Sequence, residues 1–143
     1  MDFRLTSDDQ SMIDMFEEVG KKVVAPWAAR AAAGEHPAEA IGGLANAGLV
    51  GMVAPEEYGG PGSSYLHLTL AMEVLGKYSP AIAEHLNMSN CNLILPILKY
   101  GTEEQKQAWL PRIASGDAYC AFALTEPEAG SDNSGMTTTA VQD

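Results

Sequence analysis

The stretch from Tyr119 to Asp132 carries the residue types best suited to holding a ligand. Its first six residues, Tyr119 to Leu124, are mostly apolar and fit a buried strand. They run directly into a polar loop that includes Thr125, Gly130 and Ser131. A glycine lets the backbone approach a ligand closely, and a hydroxyl can both donate and accept a hydrogen bond. We therefore interpret this stretch as a ligand-presenting loop, and the chain before it as the scaffold that positions it.

A second polar group lies on a predicted helix, where His85, Ser89 and Asn92 are spaced four and three residues apart with Met88 beside them. This spacing places them on one face of the helix. A buried polar group without a partner costs roughly 1–3 kcal/mol, so the group needs hydrogen-bond partners. The residues alone leave open whether these partners are neighbouring backbone groups or a ligand and water in a cleft.

The scaffold is predicted to be helical, because apolar residues recur at three- and four-residue steps between recognisable caps and breakers. A capping box with Ser7 as N-cap and Gln10 as its partner opens the first helix. A second capping box runs from Thr102 to Gln105. The predicted helices run from Ser7 to Pro26, Trp27 to Ala33, Pro37 to Ala47, Ser64 to Tyr78, Ser79 to Tyr100 with a kink at Pro96, and Thr102 to Ala114. A threonine-rich strand is predicted from Met136 to Val141.

Composition excludes several classes of protein. A net charge of −11 with only 8 lysines and arginines argues against a nucleic-acid partner. The three histidines share no ligand spacing, so we predict no metal site. Polar residues interrupt the apolar run from 81 to 98, which makes it a poor membrane span. Cys91 and Cys120 lack a Cys-x-x-Cys spacing and are predicted to be free thiols in a reducing compartment. The beginning of the sequence has no apolar signal region, and we expect a cytoplasmic protein.

Three segments resemble, in order and at similar intervals, the N-terminal part of the flavin-dependent acyl-CoA dehydrogenases. They are Leu49 to Gly60 (LVGMVAPEEYGG), Tyr100 to Gln107 (YGTEEQKQ) and Ala123 to Asp132 (ALTEPEAGSD). The resemblance implies a mainly α fold, with an all-helical N-terminal domain over residues 1–117. It also implies that residues 118–143 are the first strands of an incomplete β-barrel-like domain. The rest of that domain and a C-terminal helical bundle would lie outside this truncated chain.

The same resemblance implies an FAD site and its residues. Phe122, Leu124 and Thr125 would approach the flavin ring, with the Thr125 hydroxyl near its reactive edge. Gly130 and Ser131 would contact FAD further along, and Ser131 would also face the pantetheine arm of the acyl-CoA substrate.

The helix after Ser79 would wall the acyl pocket, so the resemblance assigns His85, Met88, Ser89 and Asn92 to substrate binding. A polar stripe there departs from the apolar lining that suits a plain fatty acyl chain. The expected substrate is accordingly short, branched, polar-tailed or ring-bearing.

The family's reaction removes the α-proton of an acyl thioester with a glutamate base while hydride passes from the β-carbon to flavin N5. That base lies in the C-terminal domain, so we expect no catalytic residue in this chain, and we expect the chain alone neither to hold FAD tightly nor to turn over. The implied partners are acyl-CoA and electron-transfer flavoprotein or a similar acceptor, and the full-length protein is expected to be a homo-tetramer.

Two other functions remain open at this point. The chain could belong to an acyl-CoA oxidase, nitroalkane oxidase or flavin hydroxylase of the same fold, since those enzymes differ largely outside this segment. It could also be a non-catalytic helical subunit that pairs with a partner supplying the base.

Overall fold

A helix with a capping box opens the chain, but its N-cap is Thr6 and not Ser7. In the computed structural model, which describes residues 4–119, 121 and 123–141, the Thr6 hydroxyl accepts from the Asp9 amide at 3.1 Å. The Asp9 carboxylate in turn accepts from the Thr6 amide at 2.8 Å. Asp9 also lies 3.0 Å from Nε2 of His67, on a later helix. The capping box therefore lies one residue earlier than predicted, and Asp9 also links the first helix to the later one.

The described chain is mainly helical, which confirms the predicted fold class. Helix α1 continues without a break into a π-helical turn and a 3-10 turn, and a second π-helical turn joins α5 to α6. Further 3-10 turns lie after α3 and within the C-terminal loop. The helices are α1 Ser7–Val19, α2 Ala28–Ala32, α3 Ala38–Asn46, α4 Tyr65–Tyr78, α5 Pro80–Asn87, α6 Leu95–Tyr100 and α7 Glu103–Ala114; the π-helical turns are Gly20–Val24 and Met88–Ile94, and the 3-10 turns are Ala25–Trp27, Glu56–Tyr58 and Asn133–Gly135.

Two prolines of the helical region, Pro26 and Pro96, each follow a π-helical turn, whereas Pro111 lies inside α7. Pro26 comes after Gly20–Val24, and Pro96 comes after Met88–Ile94. The amide of Leu95 donates to the carbonyl of Asn90, five residues back. A proline has no amide hydrogen to donate and its ring crowds the preceding turn, so the irregularity falls before Pro96 and not at it. The predicted kink at Pro96 is therefore a π-helical turn that ends one residue before α6 begins.

The helices enclose two groups of buried apolar side chains. The larger lies between α1, α3, α4 and α5 and includes Phe16, Leu44, Leu75 and Leu86, all fully buried. The smaller lies under α7 and includes Leu110 and Ile113. The predicted capping box of α7 is confirmed, because the Thr102 hydroxyl accepts from the Gln105 amide while the Gln105 side chain accepts from the Thr102 amide.

Glu17 joins α1 to α4 instead of pairing along its own helix. Its carboxylate accepts from the Tyr78 hydroxyl at 2.6 Å and from Lys77 Nζ at 3.3 Å. Lys21, four residues after Glu17 on the same helical run, lies instead 3.6 Å from Glu18.

The predicted strands do not form within the described residues. Of the predicted strand from Tyr119 to Leu124, the described residues 119, 121, 123 and 124 are exposed and outside any strand, and Cys120 and Phe122 lie outside the description. Residues 136–141 likewise form no strand. A strand requires a neighbouring strand to accept its ladder of hydrogen bonds, and the described residues supply only a single bridge between Glu126 and Ala129.

None of the helices in the described residues combines the length and the apolar character that a membrane crossing requires.

Candidate functional site

The loop after Tyr119 exposes the groups predicted to meet a ligand. Thr125, Gly130 and Ser131 are all exposed, and Leu124 is 38% exposed. Within the described residues, neither the Thr125 hydroxyl nor the Ser131 hydroxyl makes a hydrogen bond. A Cβ added at Gly130 would have nothing within 4 Å, so the backbone there is open to approach. Phe122, the remaining predicted flavin contact, lies outside the described residues.

Two short turns hold this loop on either side of Gly130 and Ser131. In the first, the amides and carbonyls of Glu126 and Ala129 bond to each other at 2.9 and 3.2 Å. In the second, the Asp132 carboxylate accepts from the Ser134 amide at 3.0 Å and opens the 3-10 turn Asn133–Gly135. The two exposed residues between the turns are thereby held by hydrogen bonds on both sides.

The carboxylate of Glu126 ties the beginning of the loop to its end. It accepts from the Thr137 amide at 2.8 Å, the Thr138 amide at 2.9 Å and the Thr137 hydroxyl at 3.1 Å. Hydrogen bonds from Thr138 and Thr137 lower the pKa of Glu126 to about 2. The group is therefore ionised at any physiological pH.

Three of the four residues predicted to form a polar stripe on the helix after Ser79 line the same cavity. His85, Met88 and Ser89 line a small, partly open cavity of about 40 Å³, which Tyr119 also lines. Asn92 does not line this cavity, and its Nδ2 lies 3.2 Å from the sulfur of Met88. The stripe thus meets the beginning of the loop at Tyr119.

The buried hydroxyl of Ser89 is satisfied by its own helix, since it lies 2.8 Å from the His85 carbonyl and 3.3 Å from that of Leu86. The partners of Ser89 are therefore backbone groups and not a ligand. His85 is the polar side chain of the stripe that is more available to bind a ligand. Burial, and to a lesser degree nearby His36, lowers the pKa of His85. The imidazole is therefore held toward its neutral form, which can both donate and accept.

His36 is a neighbour of this cavity that the sequence did not indicate. Its ring centroid lies 6.3 Å from that of His85 and 6.2 Å from that of Tyr119, in edge-to-face arrangements. The three residues come from distant parts of the chain, and no spacing in the sequence relates them. Among the described residues, no group of three or more histidine, cysteine, aspartate or glutamate side chains could hold a metal ion.

Asn90 is the most buried polar residue near the stripe, and its position in the sequence does not group it with the residues of the stripe. Its side chain is fully buried, with Oδ1 accepting from the Val53 amide at 3.0 Å. Its Nδ2 donates to the carbonyls of Leu49 and Leu86 at 3.0 and 2.9 Å. It lies off the series that begins at His85, so the only available signal was an asparagine in an apolar stretch.

Comparisons with known proteins agree with the helical architecture. Residues 6–117 match the family described as acyl-CoA dehydrogenase, N-terminal domain. Acryloyl-CoA reductase (NADH) of Anaerotignum propionicum is 41% identical over 150 residues, which is 100% of this chain and 36% of that protein.

Two solved structures share the fold. Butyryl-CoA dehydrogenase of Megasphaera elsdenii is 36% identical with a TM-score of 0.86, over 96% of this chain and 37% of that one. A chain solved in work on the electron transferring flavoprotein of Acidaminococcus fermentans is 39% identical with a TM-score of 0.83, over 94% of this chain and 36% of that one. The chain thus spans little more than a third of the length of the relatives it matches.

Proposed function

Because this chain belongs to the acyl-CoA dehydrogenase family through its N-terminal domain, we propose that it forms the N-terminal part of a flavin-dependent enzyme that dehydrogenates an acyl-CoA thioester between its α and β carbons. The observation that carries this proposal is the family match over residues 6–117. In this proposal, residues 1–117 are the helical domain and residues 118–143 begin the next domain. The expected tetramer and cytoplasmic location stay predictions.

The donor groups of the exposed loop fit FAD. The hydroxyls of Thr125 and Ser131 are exposed and unused by the described residues, and the backbone at Gly130 is open to close approach. We assign Thr125 and Leu124 to the flavin ring and Gly130 and Ser131 to the more distant part of the cofactor. When bound, FAD supplies the acceptor for the hydride.

This chain's own contribution to the reaction is binding and orientation. Ser131 would also contact the pantetheine arm of the thioester, and the stripe of His85, Met88 and Ser89 would wall the acyl pocket. The base that takes the α-proton is assigned to a part of the protein outside this chain. Electron-transfer flavoprotein is proposed as the acceptor that reoxidises the enzyme.

Expression of the complete reading frame that contains these residues tests the proposal. The purified protein is expected to keep its flavin absorbance through gel filtration and to reduce an artificial electron acceptor when short-chain or polar-tailed acyl-CoA is added. Colourless protein with no acceptor reduction would contradict the proposal. Direct oxygen consumption in place of acceptor reduction would favour an oxidase of the same fold.

The 143-residue chain purified alone provides the matching test of the truncation. It is expected to be helical by circular dichroism and to lose added FAD on gel filtration, because most of the proposed cofactor contacts lie elsewhere. Retained flavin would contradict that expectation.

A second candidate is the reverse reaction, reduction of an enoyl-CoA thioester. It is favoured by the 41% identity to acryloyl-CoA reductase (NADH). Oxidation of NADH with acryloyl-CoA, at a rate exceeding that of acyl-CoA dehydrogenation, would select this candidate.

A further inference from the structure

The loop that carries Gly130 and Ser131 is closed by one side chain. The two ends of the segment 126–138 lie next to each other, because the carboxylate of Glu126 accepts hydrogen bonds from the amides of residues eleven and twelve positions later. Inside this loop only Ala129 is buried, with 2% exposure. Apolar packing is therefore too small to order a loop of this length, and its hydrogen bonds must do so.

The carboxylate of Glu126 orders the loop through the directions of the hydrogen bonds that it accepts. Both oxygens are used, with Oε2 accepting from the Thr137 amide and hydroxyl and Oε1 accepting from the Thr138 amide. All three donors are threonine groups, not lysine or arginine. Two backbone amides that converge on one carboxylate fix the direction of the chain at residues 137 and 138, which a flexible ion pair would not do.

We propose that Glu126 is a positioning residue, which closes the loop 126–138 so that Gly130, Ser131 and the adjacent Thr125 are held in the arrangement that meets the cofactor. This inference rests on the proposed function for the identity of the cofactor. Glu126 itself does not touch the ligand in this arrangement. It acts by ordering the loop before the ligand binds, which spares binding the entropy cost of ordering that segment.

Charge compensation supports the same role. A free carboxylate one residue from Thr125 would repel the phosphates of an anionic cofactor or of CoA. The amide donors stabilise this negative charge in place. Glu128, two residues along the same loop, is exposed and makes no side-chain bond within the described residues, so it carries the same charge without the closing geometry.

The first test measures loop closure in the 143-residue chain, with Glu126→Gln as the variant and Glu128→Gln as its matched control. Both variants remove one negative charge from the same loop. Amide hydrogen exchange by NMR is expected to accelerate about tenfold or more at Thr137, Thr138 or both in Glu126→Gln, because the carboxamide keeps only one acceptor oxygen and carries no charge. Exchange is expected to be unchanged in Glu128→Gln. Equal exchange in the wild type and Glu126→Gln would overturn the proposal.

The second test measures cofactor binding by the protein from the complete reading frame. Glu126→Gln is expected to raise the Kd for FAD about tenfold and to shift the bound-flavin spectrum toward that of free flavin, whereas Glu128→Gln changes neither. Flavin-loaded wild type with unaltered binding in Glu126→Gln would overturn the positioning role alone. Wild-type protein that holds no flavin would overturn the proposed function itself, while the exchange experiment still decides loop closure.

Discussion

The side chain of Asn90 shows how one residue can position two elements. Three of its hydrogen bonds reach Leu49, Val53 and Leu86, so it joins the loop after α3 to the helix that bears the polar stripe. The side chain of Asn90 is fully buried, and removing it would leave these backbone groups without a hydrogen-bond partner and out of reach of water.

We predict that Asn90→Ala lowers the free energy of unfolding by about 2–4 kcal/mol, because it leaves buried backbone groups unsatisfied and also opens a small cavity. Urea denaturation of the 143-residue chain measures the change. Asn46→Ala, at an exposed asparagine that ends α3, is the control and should change stability by less than about 0.5 kcal/mol. A loss equal to that of the control would show that Asn90 contributes no more than a surface side chain.

At this scale, the sequence predicted residues by type and spacing and missed those defined by distant contacts. The stripe residues His85, Met88 and Ser89 could be grouped because helical spacing alone places them together. Asn90 and His36 could not, since their roles depend on backbone and rings that lie far away in the chain.

The fit of α3 against the chain after α1 depends on adjacent glycines with opposite surroundings. A Cβ added at Gly43 would lie 2.6 Å from Cγ1 of Val23, which is a stiff branched side chain. A Cβ added at Gly42 would have nothing within 4 Å. Close approach of the two helices therefore requires glycine at only one of these positions.

We expect Gly43→Ala to destabilise the protein by about 1–2 kcal/mol through overpacking, which outweighs the better helix propensity of alanine. Gly42→Ala should instead stabilise it by about 0.5–1 kcal/mol, because it gains that propensity without a clash. Thermal unfolding of the two variants measures the difference. Because the two neighbouring substitutions are expected to change stability in opposite directions, the result is independent of any general effect on α3. Two stabilised variants would contradict the packing of α3 against Val23.

Helix positions were largely predictable because caps and periodicity are local signals, as the Thr102 capping box shows. The π-helical turns were not predictable, since a proline indicates that a helix is irregular nearby but does not determine which residues form the irregular turn. The strands were predicted from composition, and they fail in the described residues because pairing depends on a neighbouring strand that composition does not supply.

At the scale of the whole molecule, pH dependence should follow carboxylates and tyrosines that are hydrogen-bonded to each other. The hydroxyl of Tyr58 donates to Glu103 at 2.9 Å, and that bond lowers the pKa of Glu103. The hydroxyl of Tyr78 bonds Glu17 and lowers its pKa in the same way. Burial and the bond to Glu103 raise the pKa of Tyr58 to about 12.

We predict a plateau of stability with a decline at each end. Carboxylates with a lowered pKa contribute stability above the unfolded value of about 4.5, and this is lost as pH falls through their folded values. The raised pKa of Tyr58 contributes stability that is present below about pH 10 and is lost as pH rises from 10 toward 12. Denaturation midpoints measured across the pH range test both limbs.

Tyr58→Phe should flatten the alkaline limb. It should also weaken the acid limb in part, because Glu103 loses the hydrogen bond that lowers its pKa, while the contribution of Glu17 remains. Tyr100→Phe is its control, because Tyr100 is 77% exposed. An alkaline limb that is equally steep in both variants and in the wild type would contradict the assignment to Tyr58.

The buried side chain of Asn90 also affects the rates of folding and unfolding. Its bonds to Val53 and Leu49 join residues 37 and 41 positions apart, so they require the chain between them to be already collapsed. Closing so long a loop costs entropy before its contacts form, whereas α4 and α5 are neighbours in sequence and can pair early. The hydrogen bonds of Asn90 to Val53 and Leu49 should therefore form after the rate-limiting step of folding. Asn90→Ala would then accelerate unfolding and leave the refolding rate nearly unchanged, which makes this one asparagine a determinant of how long the folded chain persists.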